Sequence, residues 1–163
     1  MWSIIYIFTL LLTFINAAPL TQGTRANVSL YLESSDESLN NKVLYTANQG
    51  NFIHFYYVGE ESISFATTFM YDGANYRLYE QQKGSNDKYY LTILDSMLRG
   101  QKDSGLKVTL NTDGSLDFAG SDHLYAYKMS DGTIKFLVLL FVGEIPTNVT
   151  PVKVKAKINW ATL

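Results

Sequence analysis

Apolar and polar residues alternate along most of the chain, in short runs separated by Gly, Asn, Asp and Ser. Successive side chains of a β-strand point to opposite faces, so a repeat of two residues predicts a strand with one buried face. The first runs of this kind are VSLYLE (Val28–Glu33), KVLYT (Lys42–Thr46), NFIHFYYVG (Asn51–Gly59), ISFATTFMY (Ile63–Tyr71) and NYRLYEQ (Asn75–Gln81). Similar runs continue to residue 160, and we expect about ten or eleven short strands and no clear helix.

Turn residues divide these runs. Asp-Gly pairs stand at residues 72–73, 113–114 and 131–132. A tight hairpin turn needs positive φ at its centre, which these residues adopt at low cost, so each pair predicts a hairpin. Residues 83–88 and 99–105 are predicted as loops from their polar and glycine content. The run YYLTILDSML, at residues 89–98, predicts a strand or a segment that becomes helical near its end.

Two late runs predict strands of different kinds. FLVLLFV (Phe136–Val142) is apolar on both faces, which is typical of a central strand buried on both sides, and it is too short to span a bilayer. In VKVKAKINW, the apolar face is formed by Val152, Val154, Ala156, Ile158 and Trp160. The other face carries Lys153, Lys155, Lys157 and Asn159. We interpret the lysines as a solvated face that also discourages edge pairing; a basic stripe for acidic glycans or lipid headgroups is the alternative.

These elements predict an all-β protein, a compact antiparallel β-sandwich or barrel, with a β-trefoil as the alternative. The Asp-Gly turns are unevenly spaced, which disfavours a threefold repeat. No linker or second domain interrupts the pattern, so residues 18–163 are predicted to form one domain.

Residues 1–17 are predicted to be a secretory signal peptide. An apolar run from Ile4 to Ile15 precedes the small residues Ala17 and Ala18, and the run is shorter than a transmembrane helix requires. We place cleavage after Ala17, because Pro19 disfavours a cut one residue later. The predicted location is therefore outside the cell, in the wall or the medium, with no stable membrane span in the mature form.

The composition fits an exported domain. The chain has no cysteine and a formal charge of −2, so it offers neither disulfides nor the basic surface that nucleic-acid binding requires. Asn27-Val28-Ser29 and Asn148-Val149-Thr150 match the N-glycosylation pattern, the second being weaker because Pro151 follows it. We expect both asparagines to be exposed if they carry glycans.

Catalytic and metal-binding motifs are not evident. His54 and His123 lack a Glu or Cys at metal-ligand spacing, so we expect structural histidines, no metal and no cofactor. No nucleophile elbow or phosphate loop is present. Paired carboxylates for glycan hydrolysis could come from Glu60, Glu61, Asp113, Asp117, Asp122 and Asp131, but a domain with 15 acidic residues offers such pairs by chance. We therefore expect no enzyme.

Exposed aromatic rings are the remaining candidates for a site. Neighbouring residues of a strand face opposite sides, so Tyr56/Tyr57 and Tyr89/Tyr90 are each predicted to leave one ring outside the core. An amphipathic ring on the surface suits a sugar contact, and Tyr57 and Tyr90 are the candidate glycan-contact residues, with cross-strand pairing as the alternative role.

The order of segments resembles a known family. VSLYLESSDESLNNKVLY, GNFIHFYYVGE, FMYDGANYRLYEQQ and LNTDGSLDFAGSDHLYAYK follow one another as in the short GPI-anchored cell wall proteins of Candida-type yeasts. The resemblance covers most of Val28 to Asp131 and is strongest from Asp113 to Lys128. It implies an abundant mannoprotein of the wall without established catalytic residues. Such proteins usually continue into a Ser/Thr-rich stretch and a GPI signal, whereas this sequence ends at NWATL.

The sequence and the resemblance together predict a secreted, glycosylated wall protein with a structural, non-catalytic role. Its expected partners are wall polysaccharides or mannoproteins. A soluble, lectin-like carbohydrate-binding domain is the alternative function. A small secreted hydrolase is a third, and it would need a cleft holding two carboxylates, or one carboxylate beside His54 or His123.

Overall fold

The computed structural model describes residues 18–21, 23–48, 53–59, 66–118, 124–129, 136–140 and 144–159. Every regular element in these ranges is a β-strand, and all the strand pairs are antiparallel. The strands are β1 Arg25–Glu33, β2 Val43–Asn48, β3 Ile53–Gly59, β4 Thr68–Asp72, β5 Arg77–Gln81, β6 Lys88–Leu94, β7 Met97–Gln101, β8 Val108–Leu110, β9 Leu116–Phe118, β10 Leu124–Lys128, β11 Phe136–Leu140 and β12 Val149–Asn159. None of the described residues forms a helix that is long and apolar enough to cross a bilayer.

The strands close into a barrel. The circuit runs β1–β4–β5–β6–β7–β3–β11–β10–β12 and returns to β1, while β2 lies between β1 and β3. Closure gives the strands of the circuit a partner on each side and so removes open sheet edges. The predicted all-β antiparallel class is confirmed, with a barrel rather than a sandwich.

Strand β1 changes partner along its length, and this fork shapes the surface. One edge of β1 pairs with β12 from Asn27 to Glu33. On the other edge, Arg25–Ser29 pairs with β4, whereas Tyr31 pairs with Val43 of β2. The two partner strands therefore diverge between Ser29 and Tyr31.

The main core fills the space that the strands enclose. Alternate residues of each strand point inward, as the sequence pattern predicts, and the largest fully buried side chains are Tyr56, Tyr71, Phe69, Leu30, Leu32, Leu39, Leu44, Leu78, Leu91, Leu98, Leu110 and Val28. Val152, Val154 and Ala156 of β12 are buried, while the three lysines between and beyond them are not. The lysine face is confirmed, but β12 is not an edge strand, because β1 and β10 both pair with it.

A second apolar cluster lies on the outer face of β2, β3, β7, β10 and β11. It consists of the buried residues Tyr57, Leu137 and Leu139, with Tyr45, Phe55, Met97, Tyr127 and Met129 packed against them. Leu137 and Leu139 belong to this second cluster, whereas Val138 belongs to the main core. The prediction of a central strand buried on both faces is therefore confirmed within Phe136–Leu140.

The turns depart from the sequence prediction in two places. Residues 99–105 are not a loop throughout, because Arg99–Gln101 belongs to β7. The segment before it does not become helical: β6 and β7 form a hairpin around Asp95 and Ser96, whose φ angles are 50° and 62°. Two consecutive positive φ angles fit a type I′ turn, and the pair Asp-Ser predicts such a turn less strongly than a pair that contains glycine.

The Asp-Gly predictions have separate outcomes. Asp72-Gly73 opens the predicted hairpin of β4 and β5, but the positive φ lies at Tyr76, at 52°. Gly114 adopts the expected positive φ, at 81°, in the hairpin of β8 and β9. The third pair, residues 131–132, lies outside the described residues, as do the predicted signal peptide and Trp160.

Candidate functional site

The two sequon asparagines occupy different environments. Asn148 is exposed in the turn that leads into β12. Asn27 is half-buried within β1, opposite Asn159 of β12 on one side and Met70 of β4 on the other. Of the two, Asn148 therefore offers the open setting expected of a glycan-bearing residue.

The two candidate glycan-contact tyrosines also differ in exposure. Tyr57 lies in the second apolar cluster with 3% of its surface exposed, and its ring centroid is 5.9 Å from that of Tyr45. The expectation that one ring of the Tyr56/Tyr57 pair lies outside is wrong, because the second cluster covers the outer face of β3. For the other pair it is confirmed: Tyr89 is buried and Tyr90 is half-exposed.

Tyr90 belongs to a surface of aromatic rings and cations on the outer face of β5 and β6. Its ring centroid is 5.6 Å from that of Tyr79, which lies directly across the strand pair. The Arg77 guanidinium lies 5.6 Å from the Tyr90 centroid, and the Lys88 ammonium lies 4.7 Å from the Tyr79 centroid. Rings covered by cations at these distances are cation–π contacts, which can be structural or can be shared with a ligand.

A buried polar cluster, which the sequence did not predict, lies inside the barrel. His54 of β3 and Glu80 of β5 are 5% and 7% exposed, and His54 Nδ1 bonds to Glu80 Oε1. An ionised carboxylate can only accept, so Nδ1 carries the proton of the imidazole. His54 is thus a structural hydrogen-bonding residue, as expected of it, while His123 lies outside the described residues.

Two threonines complete the buried cluster. Thr46 Oγ1 donates to Glu80 Oε2 at 2.6 Å, so the hydroxyl of Thr67, 2.7 Å away, donates in turn to Thr46. Thr67 Oγ1 also accepts from the Thr46 backbone N–H at 2.7 Å. The carboxylate therefore has a donor on each oxygen, which offsets much of the free-energy cost of burying it.

The imidazole is fixed from two further directions. The Tyr89 ring stacks on His54 with centroids 3.8 Å apart and planes at 17°. Opposite His54 on β7 is Gly100, where a Cβ atom would overlap the Tyr56 hydroxyl and lie 3.3 Å from His54 Cβ. Any larger residue at position 100 would therefore require the buried Tyr56 side chain to move.

The electrostatics of the cluster follow from its burial. Burial lowers the pKa of His54 below its usual value, which favours the neutral ring. The Tyr56 hydroxyl is fully buried without a hydrogen-bond partner among the described residues, and burial raises its pKa. A neutral imidazole held against a carboxylate could act as a base if a reactant reached it, but the two side chains are only 7% and 9% exposed.

Arg99 lies in a segment that was predicted to be a loop but belongs to β7. It lies on the outer face of β7 with 8% of its surface exposed, and its guanidinium is 4.5 Å from the Phe55 ring centroid. Asp95 lies 3.7 Å from one guanidinium nitrogen, while Nε has no hydrogen-bond partner in the described part of the chain. Arg99 thus borders the second apolar cluster as a largely desolvated cation.

The paired carboxylates considered for glycan hydrolysis are not assembled among the described residues. Asp113 accepts from the Ser115 hydroxyl and backbone N–H at 2.6 and 2.9 Å, which lowers its pKa and fixes the hairpin. Asp117 is exposed on β9, and the other four candidates lie outside the described residues. Within the same described ranges, no group of three or more His, Asp or Glu side chains could hold a metal ion.

Comparison with known proteins links the chain to a fungal wall protein. The chain is 26% identical over 113 residues to the cell wall protein RHD3 of Candida albicans, covering 65% of this chain and 52% of that protein. It therefore spans about half the length of the curated relative it matches. No family model matches the chain, and no solved structure matches it significantly. The predicted likeness to yeast cell wall proteins is confirmed at this level, while the GPI-anchor relationship stays a prediction.

Proposed function

We propose that this protein is a secreted structural component of the fungal cell wall. The observation that carries the proposal is the similarity to a cell wall protein across 65% of the chain. A structural role requires a domain that stays folded in an extracellular setting.

The barrel supports this role through backbone pairing rather than cross-links. The chain has no cysteine, so disulfides cannot stabilise it. Closure instead gives the strands of the circuit a partner on each side, and the inward faces bury a continuous apolar core. Exposed strand edges invite pairing with other chains, and a closed barrel avoids this in a crowded matrix.

The proposal also covers glycosylation and the absence of catalysis. Asn148 is exposed and is the favoured glycan site, with Asn27 as the second. The pairing of a carboxylate with His54 that a hydrolase would need is present at Glu80, but both groups are more than nine-tenths buried. Burial of this kind supports a structural rather than a catalytic use of the pair.

Fractionation of fungal cells tests the proposal. An epitope-tagged chain expressed from its own promoter is followed in the medium, the cell interior, the hot-detergent extract of the wall and the glucanase digest of the extracted wall. We expect the protein in the wall fractions; detergent extraction would indicate non-covalent retention, and release only by glucanase would indicate a covalent link. Protein confined to the cell interior would refute the proposal.

Carbohydrate binding is the second candidate function, favoured by the half-exposed Tyr90 ring beside Tyr79. A Tyr90→Ala variant should lose saturable binding to wall glycans if this surface is a lectin site. Lys88→Gln, which removes a cation of the same surface and leaves Tyr90 in place, separates the contribution of the ring from that of the charge. Unchanged glycan binding by Tyr90→Ala would exclude this surface as the site.

A further inference from the structure

A small pocket opens on the outer face of the barrel at the fork of β1, where β2 and β4 diverge. The pocket, here called the fork pocket, measures about 240 Å³ and is lined by Ser29, Tyr31, Asn41, Val43 and Lys157. Ser29 and Lys157 are direct cross-strand neighbours, and Tyr31 lies two residues further along the same face of β1. The register therefore places a hydroxyl, an ammonium group and a phenol ring side by side.

Two polar side chains of the fork pocket, those of Ser29 and Lys157, have no partner among the residues that the structure describes. Ser29 is 8% exposed, yet its hydroxyl has no hydrogen bond within the described part of the chain. The Ser29 hydroxyl is not one of the fully buried polar atoms without a partner in the described ranges, so it is accessible from the pocket, where it can donate to or accept from a bound group. Lys157 contrasts with Lys155 on the same face, which bonds to Glu33 at 2.7 Å, because Lys157 has no ion pair among the described residues.

The remaining walls supply an aromatic face and an amide. The Tyr31 ring is half-exposed, and the Asn41 side chain is exposed at the rim. Asn41 also holds a positive φ of 61°, which fixes its position at the turn before β2. Sugar rings are recognised by this combination, in which a ring packs against C–H groups while amide and hydroxyl groups bond to the sugar hydroxyls.

We propose that the fork pocket binds a single hexose unit that carries an anionic group. Its volume is below the roughly 300–1,000 Å³ typical of drug-sized ligand pockets, which suits one sugar ring rather than an oligosaccharide. Lys157 supplies the charge that selects an anionic substituent. Binding of this kind is a property of the purified protein and does not depend on its location in the wall.

Titration of the full-length mature chain tests the proposal. Protein made in a host without N-glycosylation leaves no glycan at Asn27 to compete, and the probes are mannose 6-phosphate, mannose and inorganic phosphate. We expect saturable binding with mannose 6-phosphate tightest. Lys157→Gln should weaken mannose 6-phosphate about tenfold, as for a lost charge-assisted hydrogen bond, and leave mannose nearly unchanged.

Matched variants separate a built site from general charge. Lys153→Gln makes the same change on the same face of β12 outside the fork pocket, and it should leave binding unchanged. Ser29→Ala should weaken both sugars several-fold without lowering thermal stability, since the hydroxyl has no partner to lose. Tyr31→Leu should weaken both sugars by roughly 2–10-fold.

Three outcomes would overturn the proposal. The first is no saturable binding of any of the three probes. The second is inorganic phosphate binding as tightly as mannose 6-phosphate, which would indicate an adventitious anion only. The third is an equal loss of affinity in the Lys153→Gln and Lys157→Gln variants, because general surface charge would then explain the binding.

Discussion

Replacing one member of the buried His54–Glu80 pair should destabilise the barrel far more than replacing both. Glu80→Met leaves the His54 Nδ1–H without its acceptor at a site that is 5% exposed, and an unsatisfied buried donor costs about 1–3 kcal/mol. His54→Phe is worse, because it leaves a buried carboxylate with Thr46 as its remaining donor. Breaking a buried charged pair in this way costs about 3–5 kcal/mol.

The double variant His54→Phe/Glu80→Met removes both polar partners, so neither is left buried without the other. No ionisable group of the pair remains, a phenyl ring can occupy the stack on Tyr89, and Thr46 keeps Thr67 as a partner at 2.7 Å. Apolar replacement of a buried pair is often neutral or stabilising, so we expect stability within about 1 kcal/mol of the wild type. The double variant should therefore be more stable than His54→Phe by about 2–4 kcal/mol.

Urea and thermal unfolding of the wild type, both single variants and the double variant measure this coupling. In a chain of this size, each 1 kcal/mol shifts the midpoint temperature by about 2–4 °C. Glu33→Met is the control, since it breaks the partly exposed ion pair with Lys155, whose side chains are 45% and 25% exposed, and should cost less than about 1 kcal/mol. Additive losses, with the double variant least stable of all, would refute the reasoning.

Three further predictions follow from individual groups. Burial lowers the pKa of His54 below 6.5, so the unfolded chain binds the proton more readily than the folded chain does. The stability that depends on the neutral ring is therefore fully present above pH 6.5 and falls as the pH is lowered. The slope of stability between about pH 7 and 5 should disappear in the double variant, and a persisting slope would contradict this origin. Tyr56→Phe removes a buried hydroxyl without a described partner and should be neutral or stabilising in urea unfolding. Tyr71→Phe removes a hydroxyl that accepts from the backbone N–H of Leu110 and should cost about 0.5–1.5 kcal/mol. The reverse order of stability would contradict the assignment. Mass spectrometry of the protein made in a glycosylating host should find Asn148 glycosylated at higher occupancy than Asn27, and the opposite ranking would count against exposure as the deciding factor.

The strands could be predicted from sequence because a two-residue repeat is a local signal. Partner choice is not local: nothing in VSLYLE indicates that β1 pairs with β12 on one edge and with both β4 and β2 on the other. The Asp95-Ser96 turn is not predictable in the same way, because it contains no glycine and its positive φ angles are imposed by the pairing of β6 with β7. Tyr57 was expected outside because alternation does not reveal a second cluster on the outer face.

The buried polar cluster has a signature in the alternation of buried positions along the sequence. Glu80 stands two residues after the buried Leu78, and Thr46 two residues after the buried Leu44, so both occupy core positions of their strands. A carboxylate at a core position requires a partner, and His54 alternates with the buried Tyr56 in the same way. The sequence could thus indicate that these three side chains turn inward, but their meeting depends on the barrel pairings.

Complementation by the double variant tests the central claim, a structural rather than catalytic role in the wall, most directly. A fungal strain lacking this protein is given the wild type or the His54→Phe/Glu80→Met variant, and wall integrity is measured as growth on a wall-binding dye, with the amount of each protein in the wall determined in parallel. We predict that the variant reaches wild-type levels in the wall and restores integrity fully. A variant present in the wall at wild-type levels that fails to restore integrity would contradict the account, because the chemistry of the pair, and not the fold, would then carry the function.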